Sequence, residues 1–136
     1  MTAGYSKKAL AAKLGIKPGF RISLVNYPEN YPALLGQLPH GVQFTDEGVT
    51  DLDFIHLFAA DRRLLTEAFP QAKGRIKPDG MLWVSWPKQS SALKGDLKEN
   101  DVREIGLANG LVDVKVAAID EDWSGLKFVY RLKDRS

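Results

Sequence analysis

Two short stretches and one histidine carry the residue types that could do chemistry. Ser85-Trp86-Pro87-Lys88 offers a hydroxyl, an indole face and an ammonium in consecutive positions, a set that suits a planar anionic ligand such as a nucleotide. The plainer reading, which the sequence favours, is that Trp86 packs, Pro87 ends a strand and Lys88 is solvated. Trp123-Ser124-Gly125 follows the acidic run Asp120-Glu121-Asp122. Its indole could face a partner, since Trp is enriched in binding hot spots, or fold back as a lid over a sheet end. Three consecutive acids more often need water than a metal. His56 lies inside the apolar run Phe54-Ile55-His56-Leu57-Phe58, where a hydrogen-bonded core histidine is favoured over a catalytic one. His40, between Pro39 and Gly41, reads as an exposed turn residue. The sequence places no third group beside Ser85 and His56, so residue types alone make no nucleophilic triad.

These residues must be positioned by strands and helices that the pattern itself describes. Lys77-Pro78-Asp79-Gly80 reads as a tight turn feeding the apolar run Met81 to Trp86, stopped by Pro87. Such a run belongs to a strand covered on both faces, hence to a parallel sheet between helical layers. Leu52 to Ala60 and Phe20 to Val25 read as strands of the same kind. A helix capped by Asp61, with Leu64, Leu65, Ala68 and Phe69 at helical spacing, completes a right-handed strand-helix-strand unit. Pro70 should kink that helix or start a second one reaching Arg75. Helices are also expected from Ser6 to about Leu14, from Glu29 to Leu38 with Pro32 in its first turn, and from Glu99 to Ala108. Val42 to Phe44 reads as a short strand near an edge, because the seven residues Thr45 to Asp51 cannot hold a helical crossover. Gln89 to Lys98 reads as the least constrained interior stretch. Val112, Val114, Val116 and Ala118 alternate with polar or small residues as in a half-exposed strand. A loop from Asp120 to Gly125 should join it to a last strand, Leu126 to Leu132, as an antiparallel hairpin.

Composition narrows the function classes. A chain of 136 residues with 44% hydrophobic and 26% charged residues reads as one domain with an ordinary core, residues 1–16 forming a helical arm and 17–132 the body. The 19 basic and 17 acidic residues are interspersed, which argues against a nucleic-acid footprint. The absence of cysteine removes thiol nucleophiles, zinc thiolate sites and disulfides, and fits a cytoplasmic setting. Lys13 and Pro18-Gly19 interrupt the N-terminal apolar stretch too early for a signal or membrane span.

Strands alternating with helices and closed by a hairpin resemble the core of class I S-adenosylmethionine-dependent methyltransferases, with the third strand and its helices missing. The local carriers are Asp53-Phe54-Ile55-His56-Leu57 and Lys77-Pro78-Asp79-Gly80-Met81-Leu82-Trp83-Val84, which look like that family's fourth and fifth strands. The resemblance implies a truncated, Rossmann-like three-layer α/β domain with a mostly parallel sheet and S-adenosylmethionine as a cofactor. It departs at the loop after the first strand: the family's glycine-rich turn is replaced by Asn26-Tyr27-Pro28-Glu29-Asn30-Tyr31, which contains no glycine and would crowd an adenosyl group. Asp46 could match the acid that binds the ribose. The stretches Met1 to Ser6, Leu82 to Lys88 and Asp120 to Lys127 also resemble a family of small bacterial proteins of unknown function.

In open α/β sheets, ligands bind beyond the carboxyl ends of the strands. That rule nominates Asn26 and Tyr27, then Asp61, then Ser85, Trp86 and Lys88, with Trp123 from the hairpin connection. Together these readings indicate a non-catalytic, methyltransferase-like binding or regulatory module whose trimmed sheet edge calls for a homo-oligomer or a protein partner. The alternative is a minimal S-adenosylmethionine- or nucleotide-dependent enzyme working at the same rim on a small-molecule ligand.

Overall fold

The computed structural model describes residues 9–135. Its strands are β1 (Arg21–Val25), β2 (Gln43–Phe44), β3 (Leu52–Phe58), β4 (Ile76–Pro87), β5 (Leu111–Ala118) and β6 (Trp123–Tyr130). Its helices are α1 (Leu10–Lys13), α2 (Tyr31–Leu35), α3 (Arg62–Lys73) and α4 (Glu99–Ala108). The strands form one sheet in the order β2-β1-β3-β4-β6-β5, in which β6 alone runs against its neighbours. This is the expected Rossmann-like arrangement, with β2 at an edge and an antiparallel β5–β6 hairpin.

The apolar runs of β3 and β4 are continuous because both faces of the central strands are covered. Ile55, Leu57, Leu82, Val84 and Trp86 enter one core with Leu65, Phe69 and Val102 from α3 and α4. Phe54, Phe58 and Trp83 enter the other with Ala11, Leu14, Tyr31 and Leu35 from the α1 and α2 side. Fully burying a side chain such as Leu57 contributes on the order of 1.5–3 kcal/mol relative to exposing it. The Trp83 Nε1–H donates to Leu14 O at 2.9 Å, which ties the end of α1 to the middle of the sheet.

Several local expectations are corrected. Lys77 to Gly80 is no turn: β4 already starts at Ile76, paired with Leu52, and the extra residues are absorbed by a register shift before Phe54 meets Met81. Gly80 is required there by crowding, since a Cβ would lie 2.7 Å from Leu52 O, and not by a positive φ. Gly125 likewise lies inside β6, opposite Ser85 and Ala117, and the strand begins at Trp123. Helix α2 is shorter than expected, with Pro32 in its first turn and Gly36 at φ 75° ending it. Helix α3 runs unbroken through Pro70, which is exposed. In β5 a register shift between Asp113 and Lys115 reverses the alternation, so Val114 and Val116 are exposed and Ala117 is buried. The expected Ser6 cap lies outside the described residues.

The polar stretch after β4 is also more constrained than its composition indicates. Leu97 is fully buried, Asp96 Oδ1 accepts from the Arg62 backbone N–H at 2.8 Å, and the Gln89 amide donates to Leu97 O at 2.9 Å. Between β2 and β3, where a helical crossover would be usual, the chain is a loop held by one side chain. Arg75 donates to Val49 O at 2.9 Å and to Asp46 O and Ser23 Oγ at 3.0 Å each.

Candidate functional site at the carboxyl ends of the strands

The residues nominated from sequence fall into three places. Asn26 and Tyr27 follow β1 at the rim. Asn26 adopts φ 56°, a conformation its short polar side chain tolerates, and Tyr27 is 46% exposed. Asp61 is exposed and caps α3, its Oδ1 accepting from Leu64 N–H at 2.8 Å. Ser85 and Trp86 are enclosed: Trp86 belongs to the core under α3 and α4, and Ser85 points to the other face. Lys88 is half-buried just past the strand, where its backbone N–H donates to Asp122 O at 2.8 Å. Trp123 packs edge-on against Phe58, with ring centroids 5.1 Å apart.

A buried polar chain occupies the face of the sheet behind this rim. His56 is hydrogen-bonded through both ring nitrogens, Nδ1 to Tyr31 Oη at 2.5 Å and Nε2 to Ser85 Oγ at 2.7 Å. Tyr31, His56 and Ser85 are each wholly buried. Burial pushes the imidazole down to about 3 and pushes the Tyr31 phenol up, so both are neutral near pH 7. A neutral imidazole has a single N–H. With the phenol, the stronger acid of the two hydroxyls, donating to Nδ1, the Nε2–H is left to donate to Ser85 Oγ. All three groups are satisfied in this arrangement.

Aromatic packing closes the space around that chain. Phe58 stacks on His56 at 4.2 Å, and Tyr31 meets His56 and Phe58 edge-on at 4.8 and 4.9 Å. What remains open is a depression of about 310 Å³ at the ends of β1 and β2, lined by Leu24, Tyr27, Pro32, Phe44 and Thr45. It unites Tyr27 with residues that sequence reasoning missed, Phe44 among them. A second cavity of about 290 Å³ lies under the β2–β3 loop beside Ala68, Ala72 and Arg75. The Tyr31 to His56 contact spans 25 positions and carries no spacing signal in the sequence. No group of three or more metal-ligating side chains occurs among the described residues.

The geometry defines a Rossmann-like domain of the methyltransferase type, and similarity to solved structures shows the same fold. An S-adenosylmethionine-dependent methyltransferase from Aquifex aeolicus matches over 86% of this chain and 85% of its own, with a TM-score of 0.60 and 16% identity. Fibrillarin from Aeropyrum pernix, in complex with S-adenosyl-L-methionine, matches over 89% and 73%, with a TM-score of 0.60 and 12% identity. Magnesium protoporphyrin IX methyltransferase from Synechocystis matches over 90% and 74%, with a TM-score of 0.58 and 11% identity. No curated protein sequence matches. The chain belongs to the family of proteins of unknown function DUF3052, whose model matches residues 11–132.

Proposed function

We propose that this chain is a methyltransferase-like binding or regulatory module that does not use S-adenosylmethionine in the manner of its structural neighbours. The observation that carries the reading is Tyr31. It opens α2 at the end of the stretch that replaces the glycine-rich turn, and its ring is wholly buried against His56 and Phe58 at the carboxyl ends of the strands. A glycine there would leave room for backbone to approach a ligand, whereas a tyrosine held by a hydrogen bond fills it. Ser85 and His56 are turned into that hydrogen bond chain and present no surface to a substrate.

The remaining depression is open and rimmed by Tyr27 and Phe44, both about half-exposed, which suits a contact surface more than a closed reaction chamber. Calorimetric titration of the chain with S-adenosylmethionine and S-adenosylhomocysteine tests the reading. The expected result is no binding heat up to millimolar ligand, a concentration that corresponds to roughly 4 kcal/mol of affinity. Micromolar binding of either compound would overturn it in favour of a minimal enzyme using the same rim.

A further inference from the structure

At the other edge of the sheet, on the face covered by α1, three lysines come together, Lys17, Lys115 and Lys127. Lys115 and Lys127 are register partners in the β5–β6 ladder and so project from the same face side by side. Lys13 reaches across from α1 to donate to Ala118 O at 3.3 Å, and Lys115 reaches back to donate to Lys13 O at 3.1 Å. Lys17, just past α1, is close enough that it and Lys115 both disfavour the charge on the partly desolvated Lys127. Among the described residues none of Lys17, Lys115 and Lys127 makes an ion pair. The pairs present involve Arg62, Arg63, Lys77 and Arg103 instead.

This arrangement breaks a local rule without local compensation. Like charges directly opposite in a ladder are destabilising. The chain has 17 acidic residues to place and a net charge of only +2, so a cluster of three cations without an ion pair does not follow from composition. Attraction to the carbonyl end of α1 accounts for Lys115, whose ammonium donates to Lys13 O. It does not account for Lys127, which lies over the sheet beside Trp83 of β4. Rules broken in this way are expected where a ligand repays the cost.

We propose that Lys17, Lys115 and Lys127 form a site for a compact oligophosphate group. Lysines are point charges with three rotatable donors each, so Lys115 keeps donors free after its backbone bond. Three such groups drawn together suit a di- or triphosphate, whereas an extended nucleic-acid backbone calls for a stripe of charge. The site is separate from the depression at β1 and β2 and stands whether or not S-adenosylmethionine binds there.

The test is titration of the whole chain with inorganic tripolyphosphate at low and at physiological salt. Binding that weakens with salt is expected, as is a loss of roughly tenfold or more in the double variant Lys115→Gln/Lys127→Gln, each lost charged hydrogen bond being of that order. The same variant should melt no lower than the parent, since a repulsive cross-strand pair is removed. Lys94→Gln, in the stretch after β4, should keep full affinity. Absence of binding, unchanged affinity in the double variant or an equal loss in Lys94→Gln would each overturn the site. Tighter binding of a single-stranded oligonucleotide than of tripolyphosphate, or equal binding of a glutamate peptide, would overturn the assignment to a compact oligophosphate.

Discussion

The Tyr31–His56–Ser85 chain makes His56 a liability in acid. Folded, the imidazole stays neutral down to about pH 3, whereas an unfolded histidine takes up a proton near its ordinary value of 6.5. Between those values the unfolded chain binds the extra proton, so stability rises with pH. The contribution is fully present above about 6.5 and is lost as pH falls toward 3, with a slope approaching about 1.4 kcal/mol per pH unit. Urea unfolding from pH 7 downward should show this slope, and His56→Gln, which cannot charge, should flatten it. A parallel acid dependence in parent and variant would contradict the buried neutral assignment. That His56 is a core residue was legible from the apolar run around it. Its partners were not, because they lie 25 and 29 positions away on other elements.

At the scale of elements, α4 shows how packing overrides propensity. Gly106 lies inside this helix, where an alanine would ordinarily stabilise by about 1 kcal/mol. Here a Cβ would fall 2.0 Å from Phe128 Cε1, and Phe128 is itself wholly buried and edge-on to Phe69. Gly106→Ala is therefore expected to destabilise by about 1–3 kcal/mol in chemical denaturation, with part recovered when Phe128→Leu is added. Helix and strand types were legible from periodicity and from Asp61 at the α3 cap. The misread strands β4 and β5 share one cause: bulges shift their register by tertiary pairing, and nothing in Lys77 to Gly80 or Asp113 to Lys115 distinguishes a bulge from a turn or a regular strand.

For the whole molecule, the shortened β2–β3 connection leaves α3 and the first two strands coupled through Arg75. Three acceptors from two segments meet on one guanidinium. Arg75→Met keeps an unbranched apolar stem but is shorter and donates no hydrogen bond, so those acceptors lose their partner and a loss of about 2–3 kcal/mol is expected. Limited proteolysis should show the change as faster cleavage between residues 45 and 51, and equal cleavage rates would show that the loop holds itself. The family fold was legible as a sequence of elements because strand and helix order survives truncation. The candidate site was legible only as a rim. Whether side chains fill such a space depends on rotamers and on contacts distant in sequence, as Tyr31 demonstrates.

The sheet order also dictates when the domain can be finished during synthesis. Strand β6 is made after β5 yet sits between it and β4. Until residues 123–130 have left the ribosome, β4 has no partner on one side and β5 has no sheet to join. A nascent chain stalled after β5 therefore exposes the unpaired backbone edge of β4 from Leu82 to Pro87, which β6 covers in the finished sheet. Such an edge is a template for pairing with other chains, so the chain stays open to misassociation until this one late strand is released.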